Sequence, residues 1–450
     1  MFVKRMTEIK LLEDQYLSSG SNLVVLYGRK GLGKTALLSE FMEGKPSYYY
    51  EGVECVDILQ VRRMNRQLAG IERAEDCQGL PFLLTSILSK QEQKAVIILD
   101  EFHLITKNCP DFIDIFSVLA NVQHPVMLVL CSSSIRWVEN DMIDYLGAKA
   151  AYITSFIKLK EFSFVDFVNR FPKASVETCI YINAILGGVP EYLNAWQDGK
   201  SVKDNIISII LDKDSRLFEE PQQFLKLELR EPAVYNTILS ELAQGNRKLN
   251  DLHARTGFSR AKIIVYLKAL IQLDLVEKLV PVGEEGRENA QKGLYRIKDN
   301  YFSFWYLFVF PNLSDLMLGK ASSVYENKIE PYLDEYMGEY FSDVCTEFLK
   351  LMNVHHRLPK TYLWWDRWYG KHGTIDVIAQ GEKNTSLVGK CLFTDRKMES
   401  EDYEKLLSLS EEAGLKPEFI YLFSKSGFSD ELRNYTKENS NVIIVGLEDL

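Results

Sequence analysis

A glycine-rich segment near the start of the chain has the spacing of a phosphate-binding loop. Its residues GRKGLGKT, at positions 28–35, match the pattern G-x-x-x-x-G-K-[ST] at every fixed position. The apolar run NLVVLYG precedes it and the helical pattern ALLSEFME follows it, which is the strand–loop–helix context of this motif. Glycines let backbone amides close around a phosphate, and a helix that begins at Lys34 adds the positive end of its dipole. The segment therefore predicts a nucleotide site rather than a structural glycine-rich turn.

The same loop predicts which groups would hold the nucleotide. We expect Lys34 to reach the β- and γ-phosphates of ATP, and the Thr35 hydroxyl to bind Mg²⁺. ATP and Mg²⁺ are therefore the predicted cofactors. The predicted nucleotide-binding residues are Gly28, Arg29, Lys30, Gly31, Leu32, Gly33, Lys34, Thr35 and Ala36.

Two acidic residues end a second apolar run, AVIILDE at 95–101. Asp100 is expected to hold the magnesium ion, usually through water, and Glu101 to polarise the attacking water as a general base. The alternative is a buried strand that ends in solvated acids. An aspartate followed by a glutamate favours hydrolysis over passive nucleotide binding. The pattern therefore predicts an ATPase in which Lys34 and Glu101 are catalytic.

A third apolar run, VMLVLCSSS at 126–134, ends in hydroxyl side chains. In ring-type ATPases a polar side chain at this place senses the γ-phosphate. Ser132 or Ser133 has the chemistry for that role, and Ser133 is our catalytic candidate; the alternative is a plain turn at the strand end. Arg136 is near enough in sequence to be an arginine finger, but nothing specifies whether such an arginine acts within its own chain or on a neighbour.

The elements that must position these residues follow from the apolar runs. Such runs suit strands buried on both faces of a parallel sheet, and their alternation with helical patterns indicates a doubly wound α/β domain. The 450 residues are too many for one core, so we expect two or three domains.

Bulk composition excludes several classes of protein. No apolar run reaches the roughly 18 residues that a membrane span needs, and the charged N-terminus lacks the apolar region of a signal peptide. Seven Cys residues without a CxxC pair predict a cytoplasmic protein, with no disulfide and no metal held by cysteine. The net charge of −10 argues against a protein that coats nucleic acid by charge alone.

The middle of the chain changes pattern. Residues 161–225 have a helical pattern, and YNTILSELAQG, KLNDLHARTG and SRAKIIVYLKALIQLDL then predict three helices, the last opened by Ser259 as N-cap. VEKLVPV and LYRIKD flank the polar turn GEEGRENAQKG and predict a two-stranded wing. Together these elements predict a winged helix-turn-helix.

The third of these helices carries the residues that could contact DNA. Arg260 and Lys262 lie at its start, where a recognition helix meets the major groove, with Arg255 and Lys268 nearby. Residues 225–300 hold 13 Lys and Arg against 10 Asp and Glu, which is a small excess. Docking of a protein, or a lid role, is therefore as compatible with this segment as DNA binding.

In this order, the motifs resemble the family of archaeal and bacterial AAA+-related ATPases that join a P-loop domain to a winged helix and a C-terminal restriction-endonuclease-like domain. The resemblance covers nearly the whole chain and rests on FVKRMTEIKLL, LYGRKGLGKTAL, IILDEF, LVLCSSS, GGVPEYL, LFEEPQQFLKLELREPAVYNTIL, YRIKDNYFSFWYLFVFPN and GTIDVIA. It implies that Phe2–Arg5 lie near the adenine and that Gly187–Pro190 belong to a helical lid. The family's arginine in a Leu-Gly-Arg setting is replaced here by Ala148 or Lys149, which argues against a finger there.

The restriction-endonuclease-like site that the resemblance implies is incomplete. Such a site needs an Asp on one strand and Glu-x-Lys on the next, because two acids hold the metal and the lysine steadies the attacked phosphate. Asp376 in GTIDVIA matches the first acid, and Glu339 could supply a helix acid. Lys390 and Leu392 stand where the family has the second acid and the lysine. We therefore predict that this domain does not cleave nucleic acid and serves as a binding or scaffold module.

The aromatic cluster WWDRWYG at 364–370 lies near this site in sequence. It predicts either a stacking platform for bases or the core and edge strand of the small domain, with the second alternative favoured.

The sequence thus predicts an α/β P-loop ATPase domain of the AAA+ type at 1–160, a helical lid at 161–225, a winged helix-turn-helix at 226–312 and a degenerate restriction-endonuclease-like domain at 313–450. We expect magnesium-dependent ATP hydrolysis to drive a conformational switch. The alternatives are an ATP-regulated DNA-binding regulator or defence-type protein, and a protein-interaction scaffold. The expected partners are DNA at the winged helix or a protein at the C-terminal domain, and not a membrane.

Overall fold

The computed structural model describes residues 5–73, 76–77, 79–107, 110–116, 118, 124–279, 293–382 and 386–450. The chain divides into two compact units, Met1–Glu161 and Phe162–Leu450. No helix in the described ranges combines the length and the apolar character that crossing a bilayer requires.

A five-stranded parallel sheet forms the centre of the first unit. Its strands are β1 (Asn22–Tyr27), β2 (Ser47–Glu51), β3 (Ala95–Asp100), β4 (Val126–Ser132) and β5 (Ile153–Lys158). Their spatial order is β2-β3-β4-β1-β5, and every pairing is parallel. The predicted parallel α/β sheet is therefore confirmed.

Burial separates the strands that the sequence predicts from those that it does not. The inner strands β1, β3 and β4 are almost entirely buried, which is why their residues are continuously apolar. The edge strands β2 and β5, with sequences SYYYE and ITSFIK, are only partly buried and carry no such run. They were not expected, and β2 supplies a residue of the candidate site.

Helices surround this sheet. They are α1 (Met6–Leu17), α2 (Lys34–Met42), α3 (Asp57–Ala69), α4 (Leu80–Leu88), α5 (Phe102–Thr106) and α6 (Met142–Leu146), with 3₁₀ turns at Pro110–Asp114 and Gly147–Tyr152 and a π-helical turn at Trp137–Asp141. Leu83, Ile97 and Leu128 are fully buried members of the core that α3 and α4 share with the sheet. Burial of each such side chain contributes about 1.5–3 kcal/mol, so this core holds the strand ends in place.

The second unit is mainly helical in its first part. Its helices are α7 (Phe164–Arg170), α8 (Val176–Leu186), α9 (Pro190–Leu193), α10 (Val202–Asn205), α11 (Arg216–Glu228), α12 (Pro232–Ala243), α13 (Leu249–Thr256), α14 (Arg260–Gln272), α15 (Asn300–Phe304), α16 (Leu313–Met317), α17 (Ala321–Val324), α18 (Leu333–Val354), α19 (Ser400–Glu412) and α20 (Asp430–Glu438). Shorter π and 3₁₀ segments lie at Ile206–Leu211, Trp305–Val309, Phe310–Asn312, Tyr325–Ile329, Glu330–Tyr332 and Leu447–Asp449.

A two-stranded antiparallel ribbon follows the helices α12, α13 and α14. It consists of β6 (Val276–Leu279) and β7 (Leu294–Ile297). The Ser259 side chain accepts a hydrogen bond from the Lys262 amide, so the predicted N-cap of α14 is confirmed. Apart from Gly293, the predicted turn GEEGRENAQKG lies outside the described residues. The interpretation of this segment as a winged helix-turn-helix therefore stays a prediction, as do the domain boundaries.

A mixed five-stranded sheet completes the second unit. Its strands are β8 (Tyr362–Tyr369), β9 (Thr374–Gly381), β10 (Ser386–Leu392), β11 (Phe419–Ser424) and β12 (Val442–Val445), in the spatial order β12-β11-β10-β9-β8. The first three strands are antiparallel neighbours, and the last three are parallel. Helices α19 and α20 make the crossovers that parallel strands need.

Candidate functional site

The loop after β1 curls around the side chain of Lys34. Gly28 and Gly33 have φ angles of 154° and 86°, and a Cβ atom on Gly28 would lie 2.6 Å from the Leu159 carbonyl oxygen. Only glycine fits such a conformation without strain. The Lys34 Nζ atom donates to the carbonyl oxygens of Gly28 at 2.7 Å and Arg29 at 3.0 Å. The buried ammonium therefore lies within its own loop, at the start of α2, on carbonyl oxygens that phosphate oxygens could replace.

Thr35 and Asp100 meet beside this loop. The Thr35 hydroxyl donates to Asp100 Oδ2 at 3.2 Å, and the Tyr49 hydroxyl on β2 donates to the same oxygen at 2.7 Å. Burial, together with the adjacent Asp100 carboxylate, raises the pKa of Tyr49, so its phenol stays protonated and continues to donate. Two neutral hydroxyls thus share one oxygen of the carboxylate that ends β3.

The residue after Asp100 is held in an unusual conformation. The Glu101 backbone lies in the left-handed region, at φ 48° and ψ 41°, which is costly for a residue other than glycine and is typical of functional sites. Its Oε2 atom accepts hydrogen bonds from the Ser133 amide at 3.0 Å and the Ser133 hydroxyl at 2.8 Å. The candidate general base and the candidate sensor are therefore in direct contact.

His103 joins the same cluster from the first turn of α5. Its Nδ1 atom lies 2.9 Å from the Ser132 hydroxyl oxygen and 3.4 Å from Glu101 Oε2. Burial lowers the pKa of His103, although the Glu101 carboxylate opposes that shift. The imidazole is consequently neutral near pH 7. The two serine candidates have different partners, because Ser132 contacts His103 whereas Ser133 contacts Glu101.

The other predicted loop residues are arranged around this centre. Arg29 is buried, with its Nη1 atom 3.5 Å from a Glu161 carboxylate oxygen. Leu32 is also buried, and its carbonyl oxygen accepts a hydrogen bond from Arg5 at 3.0 Å. Lys30 and Ala36 are exposed. These residues therefore divide between those that brace the loop and those that face solvent.

Several predicted residues lie away from the cluster or outside the residues that the structure describes. Arg136 is exposed at the start of the π-helical turn, and Lys149 lies over the Tyr152 ring in the 3₁₀ turn that also contains Ala148. Phe2–Lys4 lie outside the described residues, so their proximity to adenine stays a prediction. Residues 187–189 connect α8 to α9, which begins at Pro190. The role of Gly187–Pro190 as part of a lid is likewise still a prediction.

Sequence reasoning missed two residues of this site. Tyr49 comes from an edge strand without an apolar run, and its contact with Asp100 crosses 51 positions of sequence. His103 had a local signal, because it follows the paired acids by only two positions. Neither residue belongs to a spacing motif, so only the pairing of β2 with β3 brings Tyr49 to the site.

In the second unit, Asp376 is paired with a lysine on the neighbouring strand. Its Oδ2 atom accepts hydrogen bonds from Lys390 Nζ at 2.8 Å and from the Cys391 amide at 2.8 Å, while Thr374 donates to Oδ1 at 3.1 Å. Burial alone would lower the pKa of Lys390, but the Asp376 carboxylate outweighs it and raises that pKa. Lys390 therefore stays charged beside the aspartate. Leu392 ends β10 and has no ionisable group.

The Glu339 carboxylate takes part in a second set of ion pairs. Arg247, between α12 and α13, and Arg296, on β7, both contact it. Arg296 also pairs with Asp343 at 3.1 Å, and Arg367 on β8 pairs with Asp343 at 2.8 Å. Burial opposes ionisation of Glu339 and Asp343, yet the arginines lower the pKa of both carboxyls. This ion network, defined by these five residues, ties α18 to the ribbon and to β8.

The candidate DNA-binding side chains are exposed at the start of α14. Arg260 Nε donates to the Asn250 side chain at 2.8 Å, and Lys262 Nζ lies 4.7 Å from the Phe258 ring centroid. Val265, one turn further along, is also exposed. Neither basic side chain is buried, and both lie in the first turn of the helix.

The aromatic cluster at 364–370 lies on β8, the edge strand of the mixed sheet. Trp364 is 61% exposed, whereas Trp368 packs against the sheet core. The tryptophans are thus divided between surface and core, and both alternatives for the cluster remain open.

Comparison with known proteins identifies two regions of the chain. Residues 2–195 match a family described as an ATPase domain predominantly from Archaea, and residues 305–406 match a family of archaeal and bacterial proteins of unknown function. An uncharacterized protein of Methanocaldococcus jannaschii is 28% identical over 469 aligned residues, which cover 100% of both chains. An uncharacterized ATP-binding protein of the same organism is 44% identical over 45 residues, or 10% of this chain and 76% of that protein.

Solved structures give the fold. A Walker-type ATPase of Pyrococcus abyssi has a TM-score of 0.50 and 13% sequence identity, and the match covers 68% of this chain and 96% of that one. The ORC2 protein of Aeropyrum pernix, solved as ADPNP–ADP complexes, has a TM-score of 0.46 and 14% identity, covering 71% and 95%. The Pyrococcus likeness shows that the chain has the fold of a P-loop ATPase.

Proposed function

We propose that this chain, which carries an archaeal-type ATPase domain at its N-terminus and a C-terminal region of a family of unknown function, hydrolyses ATP in a magnesium-dependent reaction. The observation that carries the proposal is the meeting of Thr35, Asp100 and Glu101 beside the loop that holds Lys34. The strand order supports it, because β4 alone separates β1 from β3, and carboxyl ends of parallel strands share one edge.

The residues present fit a magnesium ion. The Thr35 hydroxyl and the Asp100 carboxylate are oxygen donors in contact with each other, and Mg²⁺ prefers a few such ligands together with water and phosphate oxygens. When bound, the ion would neutralise charge that develops on the phosphate oxygens. Lys34 would exchange its carbonyl partners for phosphate oxygens, which places a positive charge on the group being transferred.

Glu101 and Ser133 would act on the attacking water. The Glu101 carboxylate is the proton acceptor, and in the structure its Oε2 atom is held by Ser133. A γ-phosphate is a strong acceptor for the same serine donors, so its arrival would free the carboxylate to orient water. Ser133 thus links the presence of nucleoside triphosphate to the release of the base.

The test separates binding from turnover. Lys34→Ala should lose ATP binding, whereas Glu101→Gln should bind ATP and hydrolyse it about 10²–10⁴-fold more slowly, because general-base catalysis contributes about that factor. Glu92→Gln, an exposed acid shortly before β3, is the matched control and should keep the wild-type rate. Phosphate release and nucleotide titration measure the two steps. Undiminished hydrolysis in Glu101→Gln would refute the role of that residue, and hydrolysis in EDTA would refute the role of magnesium.

We also propose that hydrolysis drives a conformational switch. The division of the chain into two compact units supports it, since a switch needs parts that can be rearranged. Hydrogen exchange with a non-hydrolysable ATP analogue and with ADP should then differ in residues 162–450. Identical exchange in the two states would contradict the switch.

The nuclease-like region is proposed to be catalytically inactive. The Lys390–Asp376 ion pair supports this, because the ammonium lies on the carboxylate that a metal would need. Within the described ranges, no three His, Cys, Asp or Glu side chains are grouped as metal ligands. Magnesium-dependent DNA cleavage that disappears in Asp376→Ala would overturn the proposal.

A second candidate function is an ATP-regulated DNA-binding regulator. The exposed, basic start of α14 favours it, because Arg260 and Lys262 are both accessible there. DNA affinity should fall as salt increases and should drop further in Arg260→Ala. Lys320→Ala, which removes an equal charge from a surface ion pair elsewhere, is the control. Complete absence of DNA binding would favour a protein-interaction scaffold instead.

A further inference from the structure

The second unit contains a cavity of about 290 Å³ that ATP hydrolysis as proposed above does not use. Its volume is that of about ten molecules of liquid water. It opens where α18 meets the strands β8, β9 and β10. The ionisable residues that line it are Arg247, Glu339, Arg367, Tyr369, Asp376, Lys390 and Cys391.

The two carboxylates of this cavity already have hydrogen-bond partners. Glu339 receives two arginine side chains, one on each carboxylate oxygen. Asp376 receives an ammonium and a backbone amide on one oxygen and a hydroxyl on the other. A cation entering the cavity would have to break these contacts and approach the Lys390 ammonium. The cavity is therefore unsuited to a metal ion.

The cavity has more hydrogen-bond donors than its own carboxylates use. The Tyr369 hydroxyl is buried and has no hydrogen-bond partner among the described residues. A buried hydroxyl without a partner costs about 1–3 kcal/mol, so a ligand that accepts from it would recover that free energy. The Arg247 guanidinium lies 5.8 Å from the Tyr369 ring centroid, with Glu339 as its carboxylate partner. An arginine has five N–H donors, more than one carboxylate oxygen can use.

The charges that line the cavity also favour a negatively charged ligand. Three cations, Arg247, Arg367 and Lys390, line the cavity together with two carboxylates. An incoming group must therefore bring several acceptor oxygens and negative charge. A phosphate monoester does both, because its three terminal oxygens can accept from an arginine, an ammonium and a phenol at once. A carboxylate ligand carries a single negative charge, whereas a phosphate monoester carries about −1.5 to −2 at pH 7.

We propose that this cavity binds the phosphate monoester group of a nucleotide or of a nucleic-acid end, without a metal ion. The donors are Tyr369, Arg247 and Lys390. This inference does not rest on ATP hydrolysis by the first unit, and its test removes the contribution of the Gly28–Thr35 loop.

The key variant is Tyr369→Phe, because it deletes a hydroxyl that makes no hydrogen bond within the described part of the chain. Its effect on folding should be small, while any ligand that uses the hydroxyl is weakened. Tyr362→Phe is a matched control: Tyr362 lies on the same strand, its hydroxyl is equally buried and unpartnered among the described residues, and it does not line the cavity. Both are made in the full chain carrying Lys34→Ala.

Calorimetric titrations in EDTA use four probes: inorganic phosphate, AMP, and a short single-stranded oligonucleotide with and without a 5′-phosphate. We expect saturable binding of the phosphorylated probes, about tenfold weaker in Tyr369→Phe and unchanged in Tyr362→Phe, as loss of one charge-assisted hydrogen bond implies. AMP binding as tight as that of the phosphorylated oligonucleotide identifies a free nucleotide, and preference for the oligonucleotide identifies a chain end.

Three results would overturn the proposal. They are no saturable binding of any phosphorylated probe, equal affinities in Tyr369→Phe and Tyr362→Phe, and equal binding of the oligonucleotide with and without its phosphate. Failure of ATP hydrolysis in the wild-type chain would leave these titrations interpretable, since they contain neither magnesium nor a functional P-loop.

Discussion

Two aspartates, one in each unit, lie on strands of a sheet and differ in the charge of the side chains that donate hydrogen bonds to them. Asp100 accepts from the hydroxyls of Thr35 and Tyr49, which are neutral. Asp376 accepts from the ammonium of Lys390, which carries a full positive charge. The hydroxyls leave the charge of the first carboxylate uncompensated, whereas the chain itself supplies a counter-ion to the second.

This difference decides what each carboxylate can do. A divalent cation can approach an aspartate that is held by hydroxyls without first breaking an ion pair. At Asp376 the same cation would have to displace a partly buried ammonium, which leaves a charge without a partner. The neighbouring strand therefore determines whether an aspartate is available to a metal or serves as half of a salt bridge.

The sharpest test of the comparison is to neutralise each aspartate in turn. Asp100→Asn should lower magnesium-dependent ATP hydrolysis about 10²–10³-fold, since charge stabilisation by a metal is worth several kcal/mol and each 1.36 kcal/mol is a factor of ten. Asp376→Asn, the matched change, should leave the rate within about twofold. The measurement is phosphate release at saturating ATP and magnesium. Equal loss in both variants would mean that the two carboxylates do not differ as described.

The free energy of unfolding should respond in the opposite order, with the larger loss in Asp376→Asn and the smaller in Asp100→Asn. Asp376→Asn leaves the Lys390 ammonium without its counter-charge and should destabilise the strands β9 and β10 by about 1–3 kcal/mol. Asp100→Asn breaks no ion pair, because the donors to Asp100 are neutral hydroxyls and the Glu101 amide, and it should cost less. Because two units need not unfold together, amide hydrogen exchange within each sheet is the measurement. The double variant Asp376→Asn with Lys390→Met should recover part of the loss.

Reversing the charge of Lys390 on β10 should make the Asp376 site resemble the Asp100 site, where a metal ion can approach the carboxylate. Lys390→Glu replaces the ammonium beside Asp376 with a carboxylate, and two neighbouring acids attract a divalent cation. Mn²⁺ in excess of its dissociation constant should then stabilise the variant by about 1–2 kcal/mol, as mass action predicts. Thermal unfolding with and without Mn²⁺ checks this, with Lys390→Gln as control. A response of the control equal to that of the variant would contradict the prediction.

The smallest expected effect concerns the hydroxyl of Tyr49, which sequence reasoning missed. Tyr49→Phe removes one donor from Asp100, and loss of an outer partner of a metal ligand typically lowers metal affinity about 10-fold or more. The magnesium concentration for half-maximal hydrolysis should rise by roughly that factor. Tyr48→Phe is the control, since the hydroxyl of Tyr48 pairs with Gln91 instead. An unchanged magnesium dependence in Tyr49→Phe would make that contact incidental.

The two sites also differ in how much of each can be predicted from the sequence. The loop at 28–35 and the acids at 100 and 101 have fixed local spacing, so sequence alone predicts their types and their order. The three inner strands were predictable as well, since burial on both faces requires continuous apolar runs. The edge strand β2 was not, because its residues are half exposed and carry no periodic signal.

The individual side-chain contacts of the second unit lay beyond sequence reasoning. Lys390 was recognised as standing in place of an acid, but its bond to Asp376 depends on the register that sets Gly389 opposite Val377. The contact of Arg247 with Glu339 spans 92 positions of sequence. No spacing rule relates Arg247 to Glu339. Their meeting is a property of the assembled second unit.

The ion network determines where the chain can be divided into stable fragments. Arg247 and Arg296 lie before residue 313, while Glu339, Asp343 and Arg367 lie after it. A fragment that ends at 312 would keep Arg247 without Glu339 and would keep Arg296 with Glu277 as its remaining partner. The complementary fragment would keep two acids with a single arginine. Each piece would carry an uncompensated surface that favours aggregation or recombination with the other. Expression trials should therefore begin the second fragment at 162 rather than at 313.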